Sequence, residues 1–217
     1  SLIERLAKEH TIHDFTDPAD ADKLLEEIGP RIKGIIASGI KGPNANLINR
    51  LENLELIASF SVGFDATDVV AAQARGVIVT NTPEVLTGDV ADLAMAFILM
   101  LPRRIGESER FLRDGKWLKG RMDLGTTVRG KRLGILGLGR IGKAVARRAE
   151  VFGLQIGYHD IKPLGDMTYR SYPGVVELAE ASDILLVTCE GGESNRGVVD
   201  AAVLDALADA PGVPGRF

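Results

Sequence analysis

The stretch that most constrains this chain runs from Lys131 to Asp160, KRLGILGLGRIGKAVARRAEVFGLQIGYHD. Leu133 to Leu136 is a short continuous apolar run, the pattern of a parallel strand buried on both faces. Gly137, Gly139 and Gly142 follow as G-x-G-x-x-G. The first glycine permits a tight turn, the second lets backbone approach a pyrophosphate, and the third allows a helix to pack closely on the strand. The helix amides near Arg140, Ile141 and Gly142 lack intrahelical acceptors, so they and the helix dipole favour an anion. Gly153 stops the helix, and Leu154 to His159 reads as a second strand. Asp160 falls 18 positions after Gly142, near where a dinucleotide fold places its ribose-binding acid. A glycine turn alone is weak evidence. The strand, helix, second strand and acid around it point to a dinucleotide site, with a purely structural glycine turn as the alternative.

With 45% hydrophobic and 26% charged residues among 217, the chain can bury a sizeable core and is not globally disordered. Its net charge of −4 argues against a general nucleic-acid surface. The lone cysteine, Cys189, excludes an internal disulfide framework and fits a reducing compartment. Leu2 to His10 is amphipathic and charged, without the apolar core of a secretory signal. The most apolar run, Leu93 to Leu101, is too short to span a bilayer. A cytoplasmic protein with neither nucleic-acid nor membrane partners is expected. No metal ligands are assigned.

Elsewhere strands alternate with helices, which implies parallel α/β architecture. Leu2, Ile3 and Leu6 fit a first helix, and Asp17-Pro18 signals the start of a second that stops at Gly29-Pro30. Ile32 to Ala37, Leu54 to Phe60 and Val77 to Thr80 read as strands. Helices are expected over Asn44 to Leu51 and from about Ala66 to Arg75. Asn81-Thr82-Pro83 breaks the chain. Thr87 can then cap a long helix whose buried face includes Val90, Leu93, Ala94, Phe97, Ile98 and Leu101. Three regions follow, 1–83, 84–130 and 131–217.

The segments LELIASFSVGFD, VTNTPEVLTGDVADLAMAFIL, GKWLKG, LGILGLGRIGKAVARRAEVFG and YRSYPGVVELAEASDILLVTC occur in this order. Together they resemble the D-2-hydroxyacid dehydrogenase family, nearest its hydroxypyruvate and glyoxylate reductase branch. The resemblance implies the first half of a Rossmann-type doubly wound parallel sheet and an incomplete flavodoxin-like substrate domain. It implies that 1–83 is a partial substrate domain, 84–130 an interdomain helix and arm, and 131–217 a partial dinucleotide domain. It further implies an NAD(P)-dependent oxidoreductase acting on a small 2-oxo or 2-hydroxy acid, and a homodimer whose arm is the helix from Thr87 and the Trp117 segment.

Residue by residue, Val62 and Gly63 resemble the loop whose amides hold the substrate carboxylate; a glycine turn at a strand's carboxyl end also offers such amides on physical grounds. Thr87 matches the threonine facing the nicotinamide end, a role compatible with capping. Arg140 and Ile141 match the pyrophosphate contacts. Cys189 matches a residue lining the cofactor cleft, with core filling as its alternative. Asp160 suits the ribose hydroxyls of NAD and would repel a 2′-phosphate. NADP-using relatives are expected to carry a small residue and then arginine at positions 160 and 161, so NAD is favoured. Lys162 leaves NADP open, because its ammonium can pair with phosphate.

The family's chemistry uses a histidine as acid and base, a carboxylate that orients it, and an arginine that holds substrate. In relatives all three come after residue 217, so no catalytic residue is assigned. His10, His13 and His159 do not occupy the matching position. A dinucleotide fold needs two βαβαβ halves, and the strands of the Leu133, Leu154 and Ile184 regions supply only one, so the Leu133 strand is expected at an exposed sheet edge. The chain is expected to be an incomplete member of its family, inactive by itself. The alternatives are a non-catalytic dinucleotide-binding or regulatory protein on the same fold, and a fragment that persists by pairing with another chain.

Overall fold

The computed structural model describes residues 2–15, 18–162, 164–165 and 167–209. Asp17 and the tail from 210 to 217 therefore lie outside the described residues. The chain divides into two compact units, Ser1–Pro83 and Glu84–Phe217.

In the first unit the elements run α1 (Leu2–Leu6), α2 (Pro18–Ile28), β1 (Gly34–Ala37), α3 (Ala45–Arg50), β2 (Leu56–Ser59), α4 (Val69–Ala74) and β3 (Ile78–Thr80). The strands form a parallel sheet in the order β1-β2-β3. Its register puts Ile35, Ile57 and Val79 in one row. That row packs into a core with Ile48, Leu51, Leu54, Ala72 and Val77. Side chains alternate faces along a strand, so Ile36, Leu56 and Ile78 point the other way and stay exposed. The helix expected from Ala66 begins instead at Val69. The cause is Asp68, whose carboxylate accepts the Ala71 amide at 2.9 Å and caps the helix there. Asn44 caps α3 in the same way through the Leu47 amide, also at 2.9 Å.

The second unit contains α5 (Thr87–Met100), α6 (Ile105–Arg113), β4 (Arg132–Leu136), α7 (Arg140–Val151), β5 (Gln155–His159), β6 (Arg170–Ser171), α8 (Val175–Glu180), β7 (Ile184–Val187) and α9 (Ala201–Ala208). All four strands are parallel, in the order β6-β5-β4-β7. The parallel α/β class expected from the sequence is present. The edge is not where it was expected: β4 is flanked by β5 and β7, and Leu133 and Ile135 are fully buried. The difference arises from β6, a two-residue strand too short for an apolar pattern, which takes the third place and leaves β7 as the fourth. The sheet therefore reverses direction of growth between β4 and β7, the switch point where such folds bind ligands.

Helix α5 belongs to this unit's core. Ala91, Met95 and Ile98 pack with Ala144, Val145, Ala149, Leu133 and Ile135. Of the face expected to be buried, Val90, Leu93, Phe97 and Leu101 are exposed instead. The helix is apolar nearly all round, so periodicity could not choose the face; the small residues of α7 admit the Ala91 side. Asp92 on α5 also pairs with Arg148 on α7 at 2.6 Å.

A glycine turn at the sheet switch point

Strand β4 is followed by Gly137, Leu138 and Gly139, which lead directly into α7. Gly137 has φ +89°, a left-handed conformation that favours glycine. It also abuts the end of β7: a Cβ at Gly137 would lie 2.6 Å from the Cys189 nitrogen and 2.7 Å from its Cα. A Cβ on Gly142 would lie 2.4 Å from the Gly137 carbonyl oxygen. Gly139 is the opposite case. It is exposed, and a Cβ there would meet nothing within 4 Å, so its backbone faces open space.

The turn is fixed from both neighbouring strands. The Gly137 amide donates to the His159 carbonyl on β5 at 2.8 Å. The Thr188 hydroxyl, just past β7, donates to the Gly137 carbonyl at 2.7 Å, and the Thr188 amide donates to Leu136 at 2.8 Å. Asp160 accepts the Leu138 amide through Oδ2 at 2.8 Å and the Lys162 amide through Oδ1 at 3.1 Å. The amides of Arg140, Ile141 and Gly142 open α7 with no acceptor among the described residues, so the helix presents donors and its positive dipole end together. The Arg140 guanidinium is exposed and pairs with Glu84 at 3.1 Å. Glu84 itself stands at φ +73°.

Gly137, Gly139, Arg140, Ile141, Gly142, Asp160 and Cys189 are thus brought to one end of the second sheet, with Lys162 exposed just beyond Asp160. Cys189 is a half-buried free thiol against the turn. Thr87 is the first residue of α5. Its side chain makes no capping bond, contrary to expectation, because the cap position falls on Leu86 and the Thr87 amide is taken by the Glu84 carbonyl at 3.2 Å.

Val62 and Gly63 lie in the first unit, after β2. The Asn81 side chain donates to the Val62 carbonyl at 2.8 Å, and the Thr82 amide donates to the Ser61 carbonyl at 2.9 Å. The Ser61 hydroxyl donates to the Gly63 carbonyl. The loop's carbonyls are therefore occupied, while the Val62 and Gly63 amides have no acceptor among the described residues. Sequence reading places Ser61 with Val62 and Gly63 at the ligand end of the strand but does not give the role of its hydroxyl, and it did not find Thr188 or Asn81. Their signal is only a short hydroxyl or amide side chain next to a strand end, which is common.

His159 Nδ1 lies 2.9 Å from the Tyr172 carbonyl, which can only accept, so a proton on this nitrogen would be held in that bond and Nε2 is left outside it. Among the described residues no group of three or more His, Cys, Asp or Glu side chains could hold a metal. No helix among them is long and apolar enough to cross a membrane.

The parallel sheet, the glycine turn on its central strand and the acid at the next strand's end define a Rossmann-type dinucleotide domain. A profile of the D-isomer specific 2-hydroxyacid dehydrogenase NAD-binding domain matches residues 95–211. The chain belongs to the D-isomer-specific 2-hydroxyacid dehydrogenase family. It is 46% identical over 208 residues to glyoxylate/hydroxypyruvate reductase A of Arabidopsis thaliana, matching 95% of this chain and 66% of that protein. The solved 2-hydroxyacid dehydrogenase of Ketogulonicigenium vulgare Y25 superposes with a TM-score of 0.87 at 41% identity, over 96% of this chain and 66% of that one. The NADPH-dependent glyoxylate/hydroxypyruvate reductase of Sinorhizobium meliloti, solved with NADP and malonate, gives 0.87 at 38% identity, over 95% and 64%. The chain thus spans just under two thirds of the length of these relatives.

Proposed function

We propose that this chain supplies the cofactor site and part of the substrate site of an NAD-dependent oxidoreductase that interconverts a small 2-oxo acid, of the glyoxylate or hydroxypyruvate kind, and its D-2-hydroxy acid. The observation that carries the reading is the Gly137–Gly142 turn, open at Gly139 and tied to Asp160. The α7 amides and Arg140 with Ile141 hold the pyrophosphate, the half-engaged Asp160 carboxylate meets the ribose diol, and Thr87 and Cys189 line the nicotinamide side. The dinucleotide supplies a hydride. In the first unit the Val62 and Gly63 amides hold the substrate carboxylate. Residues 1–83 then act as a substrate domain and 131–217 as a dinucleotide domain, joined by 84–130.

Asp160 supports NAD over NADP by charge repulsion of a 2′-phosphate. The NADPH-dependent relative from Sinorhizobium meliloti and the exposed Lys162 favour the other choice. The exposed stripe of Val90, Leu93, Phe97 and Leu101 on α5, with Trp117 at 62% exposure, supports homodimerisation through this face. The composition supports a cytoplasmic protein.

A second reading is a non-catalytic dinucleotide-binding or regulatory protein on the same fold, which the same cofactor turn would serve. Two assays on the 217-residue polypeptide test both readings: NADH titration by fluorescence, and NADH oxidation driven by glyoxylate or hydroxypyruvate. Binding without oxidation is expected of these residues alone, since they assign no acid–base group. Absence of binding overturns the dinucleotide reading, and oxidation overturns the expectation of no turnover.

A further inference from the structure

We infer that Asp160 is a positioning residue for the glycine turn as well as the group that meets the ribose, and that the two duties are separable by mutation. The inference rests on the dinucleotide reading above. Leu138 is the residue between the first two glycines of the motif and is fully buried, so no water reaches its amide. That amide donates to Asp160 Oδ2 at 2.8 Å. The preceding amide, Gly137, donates to the His159 carbonyl at 2.8 Å. Two successive amides of the turn are therefore zipped to the end of β5, and Asp160 makes the last link before Gly139 and the opening of α7. The other carboxylate oxygen is steadied by the Lys162 amide at 3.1 Å, so the group is oriented by the fold before any ligand arrives.

A buried donor that loses its acceptor is costly, and the backbone moves to relieve it. Truncating Asp160 would therefore loosen the segment that presents Gly139 and the first-turn amides of α7. Two effects of the carboxylate follow, and they oppose each other in cofactor choice. Its charge excludes a 2′-phosphate, while its oxygen holds the turn that every dinucleotide uses. Asparagine keeps one acceptor oxygen for the Leu138 amide, gives up the weaker 3.1 Å bond from the Lys162 amide, and carries no charge; alanine keeps neither oxygen nor charge. The neutral isostere should then relax selectivity without loosening the turn, and truncation should weaken NADH and NADPH together relative to that isostere.

The test compares the wild type, Asp160→Asn and Asp160→Ala. Hydrogen exchange at the Leu138 amide is followed by NMR without any dinucleotide, with the β4 amides of Leu133 and Ile135 as the control for folding. The Leu138 amide should exchange at near wild-type rate in the asparagine variant and at least about tenfold faster in the alanine variant, while β4 stays protected. In titrations, the alanine variant should bind both NADH and NADPH about tenfold more weakly than the asparagine variant does. The asparagine variant should lose NADH affinity selectively and approach parity with NADPH. Unchanged Leu138 protection in the alanine variant, or NADPH binding by it as tight as by the asparagine variant, overturns the inference. A wild type that binds neither dinucleotide defeats the functional reading, and the exchange measurement still decides whether Asp160 holds the turn.

Discussion

The Thr188 hydroxyl donates to the Gly137 carbonyl at 2.7 Å, joining the two strands that flank the switch point of the second sheet. The same carbonyl oxygen lies where a Cβ on Gly142 would collide, so Thr188 holds the turn against the first turn of α7. Thr188→Val removes this donor with little change of shape. A neutral hydrogen bond contributes about 1 kcal/mol, so NADH affinity should fall roughly fivefold with an unchanged unfolding cooperativity. Unaltered affinity in calorimetric titration would show that the turn keeps its form without Thr188.

Asp183 ties the opening of β4 to the strand β7. Its side chain is 8% exposed and accepts the Arg132 backbone amide at 2.8 Å and the Arg132 guanidinium at 3.1 and 3.2 Å, with Lys131 3.8 Å away. Burial pushes the Asp183 carboxyl up, but the Arg132 side-chain and backbone bonds and the charges of Arg132 and Lys131 outweigh it and hold the carboxyl below its ordinary value. The depressed native value makes its contribution present above the unfolded carboxyl pKa of about 4 and lost as pH falls through the native one. Asp183→Asn should cost about 2 kcal/mol near neutral pH. The difference from wild type should shrink below about pH 4. Urea melts at pH 7 and at pH 3 measure it. A penalty equal at both pH values would contradict this origin.

Arg75 closes α3 from across the first unit. Its guanidinium donates to the carbonyls of Ile48, Leu51 and Glu52, the last two at 2.9 Å each. Ile48 lies in the last turn of α3, and Leu51 and Glu52 follow it. The guanidinium therefore adds donors where the helix ladder runs out, beside the Leu51 and Leu54 amides that the Ile48 and Leu51 carbonyls accept at 3.4 and 3.1 Å. Arg75→Met keeps much of the aliphatic bulk and removes the donors. A loss of about 2 kcal/mol in the stability of the first unit is expected, read by equilibrium denaturation. A loss below about 0.5 kcal/mol, the range of ordinary surface substitutions, would mean that water replaces the guanidinium.

Thr67 carries the converse prediction. It is 5% exposed, and its buried hydroxyl has no hydrogen-bond partner among the described residues. Thr67→Val replaces an unpaired polar group by a methyl of the same shape. Stability should rise by up to about 1 kcal/mol. A clear loss in thermal or chemical denaturation would show that the hydroxyl has a partner in solution.

The second unit was legible where the residue pattern and the local fold coincide. Leu133 to Leu136, the three glycines and Asp160 stand in sequence as they stand in space, because turn, helix start and strand end are local events. The position of β4 inside its sheet was not legible, because Arg170 and Ser171 form a strand through backbone pairing with Gly157 and Tyr158 alone. The buried face of α5 was also hidden: an all-round apolar helix takes its orientation from its partner, here the alanines of α7. Thr188 and Leu138 acquire their roles from neighbours 51 and 22 residues away. Such pairings leave no trace in local spacing.

An NMR titration of the isotope-labelled protein with NADH tests most directly whether the glycine turn is the dinucleotide site. The amides of Gly139, Arg140, Ile141 and Gly142 should show the largest shifts, saturating at one equivalent, with NADPH producing smaller changes at the same concentration. Shifts confined to other parts of the chain, or none at all, would contradict the assignment.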